Sequence, residues 1–292
     1  MIESWAVIED GFVADSRDAD RLVPWWSFTK TILAAATLVL VRDGLASLDE
    51  PMSGRPYTLR HLLQHRSGLA EYGRLLAYQE AVARGDEPWP VPELLARADA
   101  DRLRYDPGEG WDYSNIGYLL VRQAIETVTG ESAGQALQRL VLHPLGIGSA
   151  RLATWPEDLA GVSMGHASGY HPAWVYHGLM VGTVPDAAML LHRLMSGMLL
   201  PPGWVRAMLE PHELPGPVDG RPWRRPAYGL GVMTGETTRG LKVAGHTGGG
   251  PGSTIAVYWA LDRRDAPRVA ASFATTDDQA MTEEMAFGLL EK

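Results

Sequence analysis

Ser27 and Lys30 stand three residues apart in Pro24-Trp25-Trp26-Ser27-Phe28-Thr29-Lys30, and the apolar run from Thr31 to Val41 follows directly. Residues i and i+3 of a helix share a face about 5–6 Å apart, so the lysine amine can lie beside the serine hydroxyl. That is a nucleophile with a base at hand. The first turn of a helix also offers unpaired N–H groups and the positive end of the helix dipole, both of which favour developing negative charge. A serine that merely caps a core helix is the plainer reading of the same residues. Two features weigh against it. Lys30 is one of three lysines, with Lys242 and Lys292, in a chain that otherwise carries its positive charge on arginine. The helix it opens is apolar nearly all round, as a buried helix is. A lysine at the mouth of such a helix loses hydration, which lowers its pKa toward that of a usable base.

Two further motifs fit this chemistry. Asp112-Tyr113-Ser114-Asn115 follows Pro107-Gly108 and precedes a helical pattern, so its side chains can project from a loop into a cleft. A tyrosine beside a lysine can relay protons, and an asparagine can orient that lysine and bind a substrate amide. Gly245-His246-Thr247-Gly248-Gly249-Gly250 ends a predicted strand, where glycines let the backbone approach a ligand closely.

With these motifs in this order, the sequence resembles the serine β-lactamase and penicillin-binding-protein superfamily, in its class C-like, S12-type branch. The resemblance covers nearly the whole chain. It rests on Ser27-Phe28-Thr29-Lys30, Tyr113-Ser114-Asn115 and His246-Thr247-Gly248. The stretches His61 to Leu69, Pro144-Leu145-Gly146 and Tyr228-Gly229-Leu230-Gly231 support it. It implies that Ser27 is acylated, that Lys30 activates it, and that Tyr113 is a general base shared with Lys30 that activates water for deacylation. Asn115 would orient Lys30 and touch the acyl group, and His246, Thr247 and Gly248 would line the substrate's polar end. The backbone N–H groups of Ser27 and Gly249 would form the oxyanion hole, a device worth roughly 3–4 kcal/mol per donor. No metal or cofactor is called for.

Two departures bear on substrate. His246 stands where β-lactamases and many transpeptidases carry lysine, so the permanent charge that meets a β-lactam carboxylate is missing, unless Arg221, Arg224 or Arg225 supplies it. Histidine there is common in the branch's esterases and D-aminopeptidases. Only 26 residues precede Ser27, which is short for the branch. The expected activity is hydrolysis of an ester or amide through an acyl-enzyme; the alternatives are a class C-like β-lactamase or D,D-peptidase/D-aminopeptidase, and, in another class, a non-catalytic penicillin-binding sensor.

Rival motifs are weaker. Gly161-Val162-Ser163-Met164-Gly165 matches a nucleophile elbow, which needs a strand before it and a helix after it; neither flank reads so. His166, His171 and His177 have no spacing that would set them on one face for zinc. The tryptophans, Trp25, Trp26, Trp89, Trp111, Trp155, Trp174, Trp204, Trp223 and Trp259 among them, read mostly as packing, some lining an apolar groove.

The elements that must hold these residues read as an α/β (α+β) fold of β-lactamase/transpeptidase-like type. Asp10-Gly11 between Trp5–Ile8 and Phe12–Ala14 predicts a hairpin. The Ser27 helix stops at Asp43-Gly44. A short helix is predicted over Thr58–His65, and helices broken by Pro88–Pro92 between Tyr72 and Asp101. Longer helices are predicted over Asn115–Thr129 and Ser132–His143. Trp155 to Val184 shows no period, a helix follows from Asp186, and Pro201 to Arg225 reads as a proline-rich crossing. Gly229–Thr234, Leu241–Thr247, Thr254–Ala260 and Arg268–Thr275 predict an antiparallel meander, closed by a helix over Met281–Glu291. One antiparallel sheet built from both termini and flanked by helices is therefore expected, in an α/β region of residues 1–44 and 226–292. A mainly helical region, 45–225, would complete one unit, with the site at the junction.

Composition sets the outer bounds. With 292 residues, 46% of them hydrophobic, the chain can bury a large core. A net charge of -9 disfavours nucleic acid and anionic membrane as partners. The absence of cysteine excludes thiolate chemistry and disulfides. The N-terminus shows no signal-peptide pattern, so a cytoplasmic protein is expected, or a periplasmic or secreted one if a leader was removed. The natural ester, amide or lactam and the oligomeric state are not legible.

Overall fold

Asp10 and Gly11 both take positive φ, 49° and 83°, the backbone of a two-residue hairpin turn whose twist matches its strands. The computed structural model, which describes residues 1–167, 169–263 and 267–292, places them between β1 (Glu3–Glu9) and β2 (Phe12–Arg17). β3 (Leu22–Pro24) leads through a 3-10 turn at Trp26–Phe28 into α1 (Thr29–Arg42), buried continuously from Thr29 to Leu40. Gly44, at φ 72°, ends it where expected. Thr58 caps α2 (Leu59–Leu63), and Pro88 and Pro90 separate α3 (Leu76–Arg84) from α4 (Val91–Arg97), whose first turn holds Pro92. α5 (Asn115–Thr129) runs from its Ser114 cap to Gly130. α6 (Ala133–Leu137) follows, continued by a π turn over Gln138–Leu142 rather than by the expected α-helix.

β4 (Arg151–Ala153), β5 (Leu179–Thr183), α7 (Val184–Met195) and α8 (Pro202–Leu209) come next. β6 (His212–Glu213), β7 (Trp223–Tyr228), β8 (Met233–Thr237), β9 (Lys242–Gly250), β10 (Ser253–Ala260), β11 (Arg268–Ala274) and α9 (Gln279–Glu291) complete the chain. The main sheet has eight strands in the order β2-β1-β11-β10-β9-β8-β7-β6, so both termini build it, as expected. Side chains alternate between its faces. Val7, Ala256, Tyr258 and Ala270 pack against Phe287 and Leu290 of α9. Ile8, Ile255, Val257, Val269 and Phe273 join the larger core that includes α1 and α7.

Further expectations need correction. A second sheet, β3-β5-β4, lies partly in the stretch read as irregular. β5 is buried from Leu179 to Gly182, so it shows no polar alternation for a strand pattern to reveal. β7 begins within the stretch read as a crossing, and β8 starts at Met233 rather than Gly229. Among the described residues no helix is long and apolar enough to cross a membrane.

Candidate active site

Ser27 occupies the 3-10 turn and Lys30 the first turn of α1, so their side chains meet across three residues: Lys30 Nζ lies 3.0 Å from Ser27 Oγ. The turn is held on several sides. Trp25 N donates to Met180 O of β5 at 2.8 Å, and Met180 N donates to Thr29 Oγ1 at 3.1 Å. Trp26, just before Ser27, has φ 40° although its side chain is buried. For a bulky residue that conformation costs about 1–3 kcal/mol and persists only where the surroundings impose it. Here the Trp26 indole donates to Ser253 Oγ at 3.0 Å and packs edge-on against Tyr170.

β9 comes up against this turn, and its glycines are what permit it. A Cβ on Gly248 would fall 2.7 Å from both Ser27 N and Trp25 O, and one on Gly250 would fall 2.5 Å from the Trp26 ring. Ser27, Asn115 and Gly249 line both of two adjoining cavities. The larger, about 700 Å³, is walled by Trp26, Tyr72, Tyr78, Tyr170, Trp174 and His177. The smaller, about 360 Å³, is walled by Trp111, Tyr113, Arg221, Tyr228, His246 and Thr247.

Lys30 is fully buried. Its amine lies 2.6 Å from Asn115 Oδ1 and 3.2 Å from His177 Nε2, besides Ser27. Burial lowers its pKa to about 7, while the Glu71 carboxylate pulls the other way. Tyr113 sits with its ring 4.9 Å from the Lys30 nitrogen. Burial pushes its phenol above the ordinary range, opposed by the neighbouring Ser27 hydroxyl. Near neutral pH the phenol therefore keeps its proton, and the amine is the member of the pair able to be neutral.

Glu71 and His65 carry no motif that sequence reading singled out as chemical. Glu71 accepts from Asn115 Nδ2 at 2.8 Å, from Gly73 N at 2.6 Å and from the Asn115 N–H. It thereby fixes which way the Asn115 amide points and turns its oxygen to Lys30. Burial pushes the Glu71 carboxyl up, against those N–H groups and Lys30. His65, at φ 58°, packs its ring 4.2 Å from that of Tyr113 and accepts from Ser114 N at 3.0 Å. It is the stacking partner that sets the tyrosine's plane. Both residues act across more than 40 positions of sequence, which local pattern does not report.

His246 is buried, with Nδ1 2.6 Å from Thr247 O and Nε2 2.8 Å from Tyr228 Oη. The carbonyl can only accept, so Nδ1 carries the proton and Nε2 accepts from the tyrosine. Burial, with Lys30 nearby, lowers the His246 pKa to about 3. Of the three arginines proposed as substitute cations, Arg221 alone lines the site; Arg224 and Arg225 pair with Glu236 on the surface. Arg221 is matched by fully buried Glu283 of α9, which also accepts from Thr247 Oγ1 at 2.6 Å and Trp223 Nε1 at 3.1 Å.

The rival motifs fall elsewhere. Ser163 lies in irregular chain, its N–H on Leu22 O and its hydroxyl 3.3 Å from Arg21. His166 and His171 line the larger cavity while His177 faces Lys30. Among the described residues no group of three or more His, Cys, Asp or Glu is placed to hold a metal ion.

The chain is similar to several known proteins. A D-aminopeptidase of Cereibacter sphaeroides is 29% identical over 224 residues, 71% of this chain and 40% of its own. Esterase EstB of Burkholderia gladioli is 32% identical over 151 residues, 44% of this chain and 38% of its own. The chain thus spans well under half the length of these curated relatives. The crystal structure of D-amino acid amidase from Ochrobactrum anthropi SV3 superposes with a TM-score of 0.82 at 22% identity, covering 99% of this chain and 94% of that one, a likeness of fold. The beta-lactamase family model matches residues 4–288, nearly end to end and across all three motifs, and the chain belongs to that family.

Proposed function

We propose that the protein is a serine hydrolase that cleaves a small ester or amide through an acyl-enzyme on Ser27. The observation that carries this reading is the contact of Lys30 Nζ with Ser27 Oγ at 3.0 Å, made by a buried amine whose pKa lies near 7. In the reaction the neutral amine takes the hydroxyl proton as Ser27 Oγ attacks the acyl carbon. The N–H groups of Ser27 and Gly249 receive the oxyanion. Tyr113, protonated, hands its proton to the leaving group and is reprotonated from Lys30, so the proton taken from Ser27 is returned in balance. Water then enters where the leaving group stood, and the same relay run backwards activates it. The names of the relatives, D-aminopeptidase and esterase, support an ester or amide as substrate. Neutral His246 and the Glu283-matched Arg221 support an uncharged leaving-group side.

Ser27→Ala is expected to abolish covalent labelling by a fluorophosphonate or penicillin-type probe, read by intact mass, while Ser163→Ala labels normally. Persistent labelling of Ser27→Ala sinks the reading. Steady turnover of a p-nitrophenyl ester after the acylation burst separates an enzyme from a penicillin-binding sensor of the same fold, which would stop at the acylated state.

A further inference from the structure

Lys30 faces three groups, and the proton count of each constrains the others. Asn115 Oδ1, 2.6 Å away, can only accept, and Glu71 holds it in that orientation. If neutral Lys30 is to remove the Ser27 proton, its lone pair must face Ser27 Oγ, leaving two N–H donors. One goes to Asn115. The other meets His177 Nε2 at 3.2 Å, which must then be unprotonated. Once the proton has moved, the ammonium has three donors and three partners: the serine oxygen, the amide oxygen and the imidazole nitrogen. His177 Nδ1, buried with no partner among the described residues, leaves the contact at Nε2 as the interaction that selects the tautomer.

The backbone keeps His177 in place. It stands two residues ahead of β5, which pairs with β3 in register Leu22 with Thr183 and Pro24 with Val181, and β3 runs directly into the Ser27 turn. Gly178, at φ 102°, makes the bend between the histidine and the strand.

We propose that His177 is a positioning residue of the acylation base: its imidazole, protonated at Nδ1, accepts from Lys30 and completes the set of acceptors that holds the amine on Ser27 in both protonation states. The proposal rests on the serine-hydrolase reading for its purpose, but its geometry can be tested without turnover. A neutral acceptor stabilises an ammonium more than an amine, since hydrogen bonds to an ionised group are the stronger. His177 therefore raises the Lys30 pKa above what burial alone would give. The other groups facing this cluster are Glu71, which raises it, and His65, His246, Tyr113, Tyr118, Arg122 and Arg221. The three histidines are held neutral by burial first, with Lys30 adding to it.

The experiment is NMR titration of the full chain carrying 13C-labelled lysine. It has three lysines, and Lys242→Arg and Lys292→Arg assign the remaining signal to Lys30. In His177→Ala the Lys30 pKa is expected to fall by about one unit, and His177→Gln, whose amide oxygen reaches roughly the position of Nε2, is expected to restore most of it. Long-range 1H–15N spectra of the wild type should show His177 protonated at Nδ1. The acid limb of the fluorophosphonate labelling rate should move with the Lys30 titration. A Lys30 pKa that rises or stays fixed in His177→Ala, a glutamine variant no better than alanine, or a histidine protonated at Nε2 each overturns the proposal. If His177→Ala does not fold, the wild-type tautomer and the glutamine variant still decide it. Correct titrations with no labelling of Ser27 would instead remove the hydrolase reading and leave the contact standing.

Discussion

Lys30 has no contact with solvent, and the burial of an ionisable amine is written into the stability of the protein. Holding the amine at a pKa of about 7 instead of 10.5 costs on the order of 5 kcal/mol at and below pH 7, each tenfold change in proton affinity being about 1.4 kcal/mol. Between those two values the unfolded chain binds more protons than the folded one, so this group makes the wild type more stable as pH rises through that window. Lys30→Met removes the penalty but leaves Asn115 Oδ1 and His177 Nε2 without a donor, at about 1–3 kcal/mol each. The variant should be inactive and yet more stable at pH 7 by about 1–2 kcal/mol, with its advantage shrinking toward pH 10. Denaturant unfolding at pH 7 and pH 9.5 checks this; a constant difference between the two proteins would mean that Lys30 stays charged when buried.

At the scale of elements, the Ser27 turn is clamped between β5 and β9, and the clamp explains Trp26 at φ 40°. Gly248 is where β9 comes up against the backbone of that turn. It sits outside the left-handed region, so the objection to a side chain there is steric: a Cβ 2.7 Å from Ser27 N and Trp25 O forces the turn or the strand to move. Gly248→Ala should keep the fold, since the sheet register is set by many other pairs, but lower the acylation rate by about 10²-fold or more, because small misplacements of reacting groups cost that much. Circular dichroism and the labelling rate together test it, and normal labelling by a well-folded variant would show that β9 does not fix the geometry of Ser27. The sequence displayed some of these elements openly. Asp10-Gly11 could be little but a hairpin turn, and Ser114 and Gly130 bracket α5 with ordinary capping chemistry. β5 was hidden because Leu179 to Gly182 is buried throughout. Ser27, Lys30, Tyr113 and Asn115 could be picked out by motif, whereas Glu71 and His177 reach the site only through folding, 44 and 147 residues from the partners they touch.

For the molecule as a whole, the groups that line the smaller cavity are tied to the far end of the chain. Glu283, on the last helix, is fully buried below β9 and accepts from Arg221, Thr247, Trp223 and Tyr258. It therefore neutralises the arginine that faces the smaller cavity and also engages the Thr247 hydroxyl. His246, with a pKa of about 3, is uncharged throughout the physiological range. A penicillin or cephalosporin would bring its carboxylate into a cavity whose facing cation is already matched, and would lack the charge-assisted partner that gives such contacts their strength. A neutral ester loses nothing by this. We accordingly expect kcat/KM for short-chain p-nitrophenyl esters to exceed that for a chromogenic cephalosporin. Glu283→Gln preserves the shape and much of the hydrogen bonding while releasing the charge of Arg221. The variant should be less stable, because one partner of a buried ion pair is left unmatched, and the ester-to-cephalosporin ratio should narrow by about tenfold, the equivalent of roughly 1.4 kcal/mol. Both substrates must be measured on both proteins, at matched folded fraction. A wild type that prefers the cephalosporin would show that Arg221 meets the carboxylate despite Glu283, and the substrate would then be a lactam. A ratio unchanged in Glu283→Gln would show that this pair supports the strand without governing choice of substrate.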